Sequence, residues 1–347
     1  MKLLVGIDSY FESYGGPWTA ISQKLEYLNK ANIDFKLIFS SNNHFKYKLN
    51  FKEIVKKFDV IHIYGLWKPF TIKLFSEAKR LKKTIIITPL GALEPWALSQ
   101  KKIKKKIAWH LYQKKIMLDS DYIHATSEIE KEHLINLGFK EKKIIIIGHG
   151  IKFDETLSKS FNHKEKKMIY FSRIHEKKGL LELITIWDQL KNSHNWKLEI
   201  YGPVSNTKYL NTIKKQIRLK NLENEIKIFQ PVFNNEEKKK IYLKSDCFIL
   251  PSKSENFGIS IAESLSYGLP VLTTKDTPWE IINENNAGYV FDFSEKNLIY
   301  YIDKYMSLNS SQIEKMSIRA RNIIKDKFDE KKIFKKYVNF YQSIFTK

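Results

Sequence analysis

Along the first 150 residues, short β-rich runs alternate with longer segments whose apolar residues recur at helical spacing. KLLVGI (2–7) reads as a strand, and PWTAISQKLEYLNKA (17–31) as a helix. DFKLIFS, DVIHIYG and TIIITP follow as strands between polar helical segments. IAWHLYQKKIMLDS then reads as a helix, DYIHATS as a strand, EIEKEHLINLG as a helix and KIIIIGHG as a strand. Such alternation predicts a parallel sheet covered by helices. IKFDETLSKSFNHKEKK (151–167) is polar, lysine-rich and aperiodic, and reads as a linker. The alternation then restarts through MIYFSR, WKLEIYG, EIKIFQP, CFILPS and PVLTT, with GISIAESLSYG among the intervening helices. The closing helical run exceeds 30 residues and is expected to break between Asp326 and Asp329.

A length of 347 residues fits two cores better than one. The single cysteine, Cys247, excludes an intramolecular disulfide and reads as core of its strand. No apolar run approaches the roughly 20 residues of a membrane-spanning helix. The start lacks a secretory apolar region, so the expectation is a cytoplasmic chain without a cleaved signal. The net charge of +22 admits nucleic acid, anionic membrane or phosphorylated ligands as partners, or a purely compositional origin in Lys, Ile and Asn abundance. With five arginines among 60 basic residues, each arginine carries more information than a lysine.

Ligands of open α/β sheets bind beyond the carboxyl ends of strands, which directs inspection to three loops. SYGGPWTA follows the first strand, where Gly15 and Gly16 allow close backbone approach to a ligand. FSRIHEKKGL sets Arg173 and Lys178 around a polar turn, a fork and a point charge suited to a diphosphate. SENFGISIAESLSYGLP follows CFILPS. A helix starting near Phe257 would free the amides of Asn256 to Ile259, with Gly258 permitting close approach. Glu255 and Glu263 would then lie roughly 12 Å apart at 1.5 Å per residue, too far to share a proton. Glu263 shares a face with Ile259, Ala262 and Ser266 and needs hydroxyl donors or a cation. No His, Cys or Asp spacing points to a metal site.

The Gly-Gly loop, R-x4-K-G and S-x2-E-x-F-G-x4-E, in this order, resemble a retaining glycosyltransferase of family 4. TPLGALEPWAL, IHATSEIE and KDTPWEII further resemble bacterial members that build surface polysaccharide. The resemblance implies a GT-B architecture of two facing Rossmann-like domains. The expected limits are 1–152 on the acceptor side, 165–328 for the nucleotide sugar, and a helix at 329–347 packing back on the first domain.

It further implies that Arg173 and Lys178 bind the donor diphosphate with amides near Asn256, Phe257, Gly258 and Ile259. Glu255 would touch the transferred sugar, Glu263 the ribose, and Gly16 would close the donor site. Arg173, Lys178 and Glu255 would carry catalysis without cofactor or metal. Gly15, Gly91 and Glu94 would face the acceptor, a glycan or polyprenyl-diphosphate-linked sugar, with helix capping as the other reading of Glu94.

Leu90 occupies a position where many relatives carry histidine or arginine, so no catalytic side chain transfers there. His149, in the Gly148-His149-Gly150-Ile151 junction, reads as a hinge residue or a contact. Lys101–Lys106, beside Ile103, Ile107 and Trp109, reads either as a peripheral contact with the inner face of an anionic membrane or as a solvated face. An epimerase or phosphorylase of the same fold is the nearest alternative. A basic nucleic-acid-binding protein is the remote one, and no recognised signature for nucleic acid is present.

Overall fold

The computed structural model describes residues 2–7, 16–39, 50–161 and 163–345. Two compact units emerge: residues 1–150 with 331–347, and residues 151–330.

The first unit holds a parallel sheet of β1 (Lys2–Ile7), β2 (Asp34–Phe39), β3 (Val60–Tyr64), β4 (Thr84–Thr88), β5 (Tyr122–Ala125) and β6 (Ile144–Ile146), in the order β2-β1-β3-β4-β5-β6. Leu3, Leu4 and Val5 in β1, and Ile85, Ile86 and Ile87 in β4, are buried on both faces. Unbroken apolar runs are what a sheet covered on two sides requires. One face packs under the helix Pro69–Arg80 through Phe70 and Leu74. The other face takes the helix Glu330–Phe345, which supplies Ile333, Phe334, Tyr337 and Tyr341.

A buried polar chain ties that last helix to the strands. His62 bridges Tyr341 Oη at 2.6 Å and Thr88 Oγ1 at 2.7 Å, and Thr88 Oγ1 meets His124 Nδ1 at 2.8 Å. Lys24 lies over the rings of Tyr64, Tyr337 and Tyr341, where burial drives its pKa well below the ordinary lysine value.

The second unit holds β7 (Lys166–Phe171), β8 (Trp196–Tyr201), β9 (Ile226–Ile228), β10 (Cys247–Leu250), β11 (Val271–Thr274) and β12 (Gly288–Phe291). They pair in parallel as β12-β11-β10-β7-β8-β9. Counted from β7 this is the doubly wound order 3-2-1-4-5-6. β12 is an addition to the strands expected from the sequence: four residues of GYVF give too short a run to separate from the neighbouring polar segments. Cys247 is fully buried at the start of β10, as its apolar run predicted.

The linker reading of 151–167 is corrected by the structure. Ile151 is buried and pairs with Asp329, Phe161 is fully buried, and Lys159 Nζ donates to the carbonyls of Tyr242 and Leu243 at 2.8 and 2.6 Å. His163 Nδ1 lies 3.0 Å from the buried carboxylate of Asp246. Two isolated apolar anchors and a few ion pairs create no periodicity, so a fixed segment looked like a free one. The long final run breaks at Asp329, whose ψ of 129° is extended, within the expected interval.

Candidate functional site

In the order 3-2-1-4-5-6 the winding direction reverses between β7 and β10, and the loops leaving these neighbours diverge to open a crevice. The two loops are those carrying Arg173 with Lys178 and Glu255 with Gly258. They are zipped together by backbone: Lys253 N–H donates to Lys177 O at 2.8 Å and Ser252 Oγ to the same carbonyl at 3.3 Å. Gly179 has φ +67°, and a Cβ there would collide with the Pro251 carbonyl oxygen. Glycine therefore lets the two loops close, and their side chains meet.

The meeting is an ion pair between Lys178 Nζ and Glu255 Oε1, both buried. Burial would raise the Glu255 carboxyl, but the charge and hydrogen bond of Lys178 hold it below the ordinary glutamate value. Glu255 is fixed from its backbone as well, its N–H donating to Asp276 O at 2.9 Å. Arg173 is exposed, two residues beyond β7, and among the described residues its guanidinium makes no ion pair. One ammonium N–H engages Glu255, so two remain for another acceptor.

The helix expected from near Phe257 begins later. It runs Ile259–Ser266 with Gly258 as N-cap at φ +81°, a left-handed conformation that glycine adopts without strain. Its first amides are therefore those of Ile259 and Ser260, not of Asn256 and Phe257. The cause is tertiary: the indole of Trp279, from the loop after β11, donates to Phe257 O at 2.5 Å and fixes that carbonyl outside the helix. Trp279 is fully buried, edge-on to Phe257 and tilted against Phe328. Asn256 and Ile259 are half-buried and Phe257 is buried.

Glu263 finds both partners its position required. Tyr242 Oη donates to Oε2 at 3.2 Å, and Lys238 Nζ lies 3.5 Å from Oε1. The carboxylate stays partly exposed and open to further donors. Burial and the neighbouring Glu263 push the Tyr242 phenol well above its usual value, so it remains a donor.

In the first unit, Gly15 lies outside the described residues and Gly16 is the first residue of the helix Gly16–Lys30. After β4, the chain bends at Leu90 (φ +54°) and Gly91 (φ +72°). Gly91 N–H donates to Glu130 Oε1 at 2.9 Å. Glu94 stands at the N-cap position of the helix Pro95–Ser99 but makes no side-chain capping bond. Its carboxylate is buried and lies 2.5 Å from His133 Nδ1. His149 is buried, and burial followed by the charge of Lys24 brings it down to about 4, so it is neutral.

Glu130, His133, Trp279, Tyr242 and Lys238 were not picked out from the sequence. Glu130 lies in IHATSEIE, as the last residue of the helix-start pattern Ser127-x-x-Glu130, and Trp279 lies in KDTPWEII; both stretches carry the family resemblance, but neither side chain stands out there by its own chemistry.

The segment Lys101–Asp119 presents Ile103, Ile107, Leu111 and Leu118 to solvent, at 76%, 55%, 74% and 45% exposure. Its inner face buries Gln113, Ile116 and Met117. Lys101, Lys102, Lys104 and Lys106 flank the apolar row. Lys105 does not join them, because its Nζ donates to Ala97 O. Among the described residues no helix is long and apolar enough to cross a membrane.

Two family descriptions match the chain in succession: Glycosyltransferase Family 4 over residues 26–155 and Glycosyl transferases group 1 over residues 153–323. The O-antigen biosynthesis glycosyltransferase WclY of Escherichia coli is 24% identical over 332 residues, covering 92% of this chain and 89% of WclY. The 41.2 kDa protein of the cps region of Klebsiella pneumoniae is 23% identical over 304 residues, covering 83% of this chain and 79% of its own. Among solved structures, Anabaena HepE in complex with UDP and glucose superposes with a TM-score of 0.77 at 16% identity, over 99% of this chain and all of HepE. Two Rossmann-like parallel sheets, matched in turn by these two families, identify the chain as a glycosyltransferase of the family 4 type with the GT-B fold.

Proposed function

We propose that the protein moves a sugar from a nucleotide-diphosphate sugar to a glycan or lipid-linked acceptor in cell-surface polysaccharide synthesis, with retention and without metal. The observation that carries this reading is the meeting of Lys178 and Glu255 at the switch point of the second sheet, with the exposed Arg173 in the same loop as Lys178. Cations serve a leaving diphosphate and a carboxylate serves sugar hydroxyls. The UDP and glucose bound to HepE, and the O-antigen role in the name of WclY, point the same way.

In this mechanism the acceptor hydroxyl attacks the anomeric carbon from the face that the diphosphate leaves, as the bond to the diphosphate oxygen breaks. The electron pair of that bond stays on the diphosphate, whose oxygen takes the proton of the acceptor hydroxyl. Arg173, the two remaining N–H groups of Lys178 and the amides of Ile259 and Ser260 stabilise the charge that develops there. Glu255 accepts from hydroxyls of the transferred sugar. Glu263, already oriented by Tyr242 and Lys238, accepts from the ribose.

A panel of nucleotide sugars screened by thermal shift, followed by turnover assays, tests the proposal. Sugar release should depend on a glycan acceptor and persist in EDTA. A strict Mg²⁺ requirement removes the metal-free reading, and acceptor-independent conversion of the donor favours an epimerase.

The exposed row of Ile103, Ile107 and Leu111 between lysines fits the inner face of an anionic membrane, where each lysine contributes about 1 kcal/mol. Binding to anionic vesicles should weaken with salt and fall in an Ile103→Glu, Leu111→Glu variant. Equal partitioning into neutral vesicles refutes this.

A further inference from the structure

The donor chemistry makes no use of one buried carboxylate in the first unit. Ser127 caps the helix Glu128–Asn136, its Oγ accepting from Glu130 N at 3.1 Å. The Glu130 side chain then reaches into two loops at the carboxyl edge of the sheet. Oε1 accepts from Gly91 N–H at 2.9 Å, and Oε2 from Thr126 N–H at 2.8 Å and Thr126 Oγ1–H at 3.1 Å. One residue thereby stitches the loop after β4 to the loop after β5.

The turn it holds is one that the chain resists. Leu90 and Gly91 take successive left-handed conformations, and for leucine that is unfavourable unless the surroundings enforce it. Three donors converge on this carboxylate.

Among the described residues, the charged and titratable groups near it include Glu94 from the loop after β4, Tyr337 from the helix Glu330–Phe345, and His133 one turn further along its own helix and in contact with Glu94. Burial raises the Glu130 carboxyl to about 7, the Thr126 and Gly91 amides work against that rise, and Glu94 adds to it.

We propose that Glu130 is a positioning residue for the acceptor side: its carboxylate fixes the Leu90–Gly91 turn by tying Gly91 N–H to Thr126. This rests on the reading of the loop after β4 as acceptor-facing. It differs from the donor machinery in kind, since Glu130 acts on backbone and touches no substrate.

Amide exchange of the full chain, read by mass spectrometry and corrected for intrinsic rates, compares the wild type with Glu130→Gln and Glu130→Asp. Peptides spanning residues 89–93 should exchange several-fold faster in Glu130→Gln than in the wild type, with β4 unchanged. Glu130→Asp, too short to reach both loops, should loosen the same peptides even if Glu130→Gln fails to fold. Wild-type protection in a folded Glu130→Asp variant overturns the clamp. Full protection in a folded Glu130→Gln variant overturns it equally. In the transfer assay proposed above, Glu130→Gln should raise the KM for a polyprenyl-diphosphate-linked glycan and leave the donor KM unchanged. A loosened turn with an unchanged acceptor KM would overturn the acceptor-side reading alone.

Discussion

The two units bury carboxylates in equivalent places, beyond the carboxyl ends of a parallel sheet, and treat them oppositely. Glu255 in the second unit has a lysine against it and is held below its ordinary pKa. Glu130 in the first unit has amide and hydroxyl dipoles but another carboxylate nearby, and rises to about 7. Dipoles orient a charge well, yet they replace the hydration lost on burial less completely than a full countercharge does. One unit therefore keeps a buried ion pair ready for a charged ligand, and the other keeps a carboxyl poised near neutrality.

The largest expected effect lies on the charged side. Arg173→Ala should lower kcat by roughly 10²–10³, the scale of losing a preorganised charge-stabilising donor, with folding unchanged because its side chain is exposed. Near wild-type transfer by this variant would remove the diphosphate assignment.

Next comes the pair itself. Lys178→Met strands Glu255 in a buried site, and removing one partner of a buried pair costs about 3–5 kcal/mol. Urea unfolding should show most of that loss, and Lys178→Met with Glu255→Gln should recover part of it. Full additivity would mean that the pair is not coupled.

The pH response of the two units should have opposite signs. The Glu255 contribution is present above the unfolded value near 4.5 and is lost as pH falls through its lowered folded value. The Glu130 contribution runs the other way: the folded state holds its proton longer, so stability is lost as pH rises from near 4.5 through about 7. Thermal melts of Glu130→Gln and of Lys178→Met with Glu255→Gln should each flatten one limb and leave the other.

The smallest effect is expected at Trp279. Trp279→Phe keeps the ring against Phe257 and Phe328 but leaves the Phe257 carbonyl without its indole donor, at a cost of about 1–2 kcal/mol. The donor KM should rise several-fold as the helix start shifts. An unchanged KM would mean that Gly258 alone sets the start of that helix.

Much of this was legible in the chain because it is written locally. The apolar runs of β1, β4 and β10 carry their burial in their own letters, and R-x4-K-G and E-x-F-G-x4-E each fit within one loop and one helix turn or two. The segment 151–167 was misread because Ile151 and Phe161 are buried by residues far along the chain. The helix start at Ile259 was misplaced for a similar reason, since the indole that sets it lies 22 residues past Phe257.

By itself, then, the sequence determined two parallel-sheet units, the strand-end loops that carry Arg173, Lys178, Glu255 and Glu263, and the family they resemble. These follow from periodicity and from short-range chemistry, which a linear string preserves. Only the tertiary structure decided that Lys178 neutralises Glu255 across 77 residues, that Tyr242 and Lys238 hold Glu263, and that Glu130 grips Gly91. Side chains on separate loops meet only where strand order and a glycine contact bring their backbones together, and spacing along the chain does not encode that proximity.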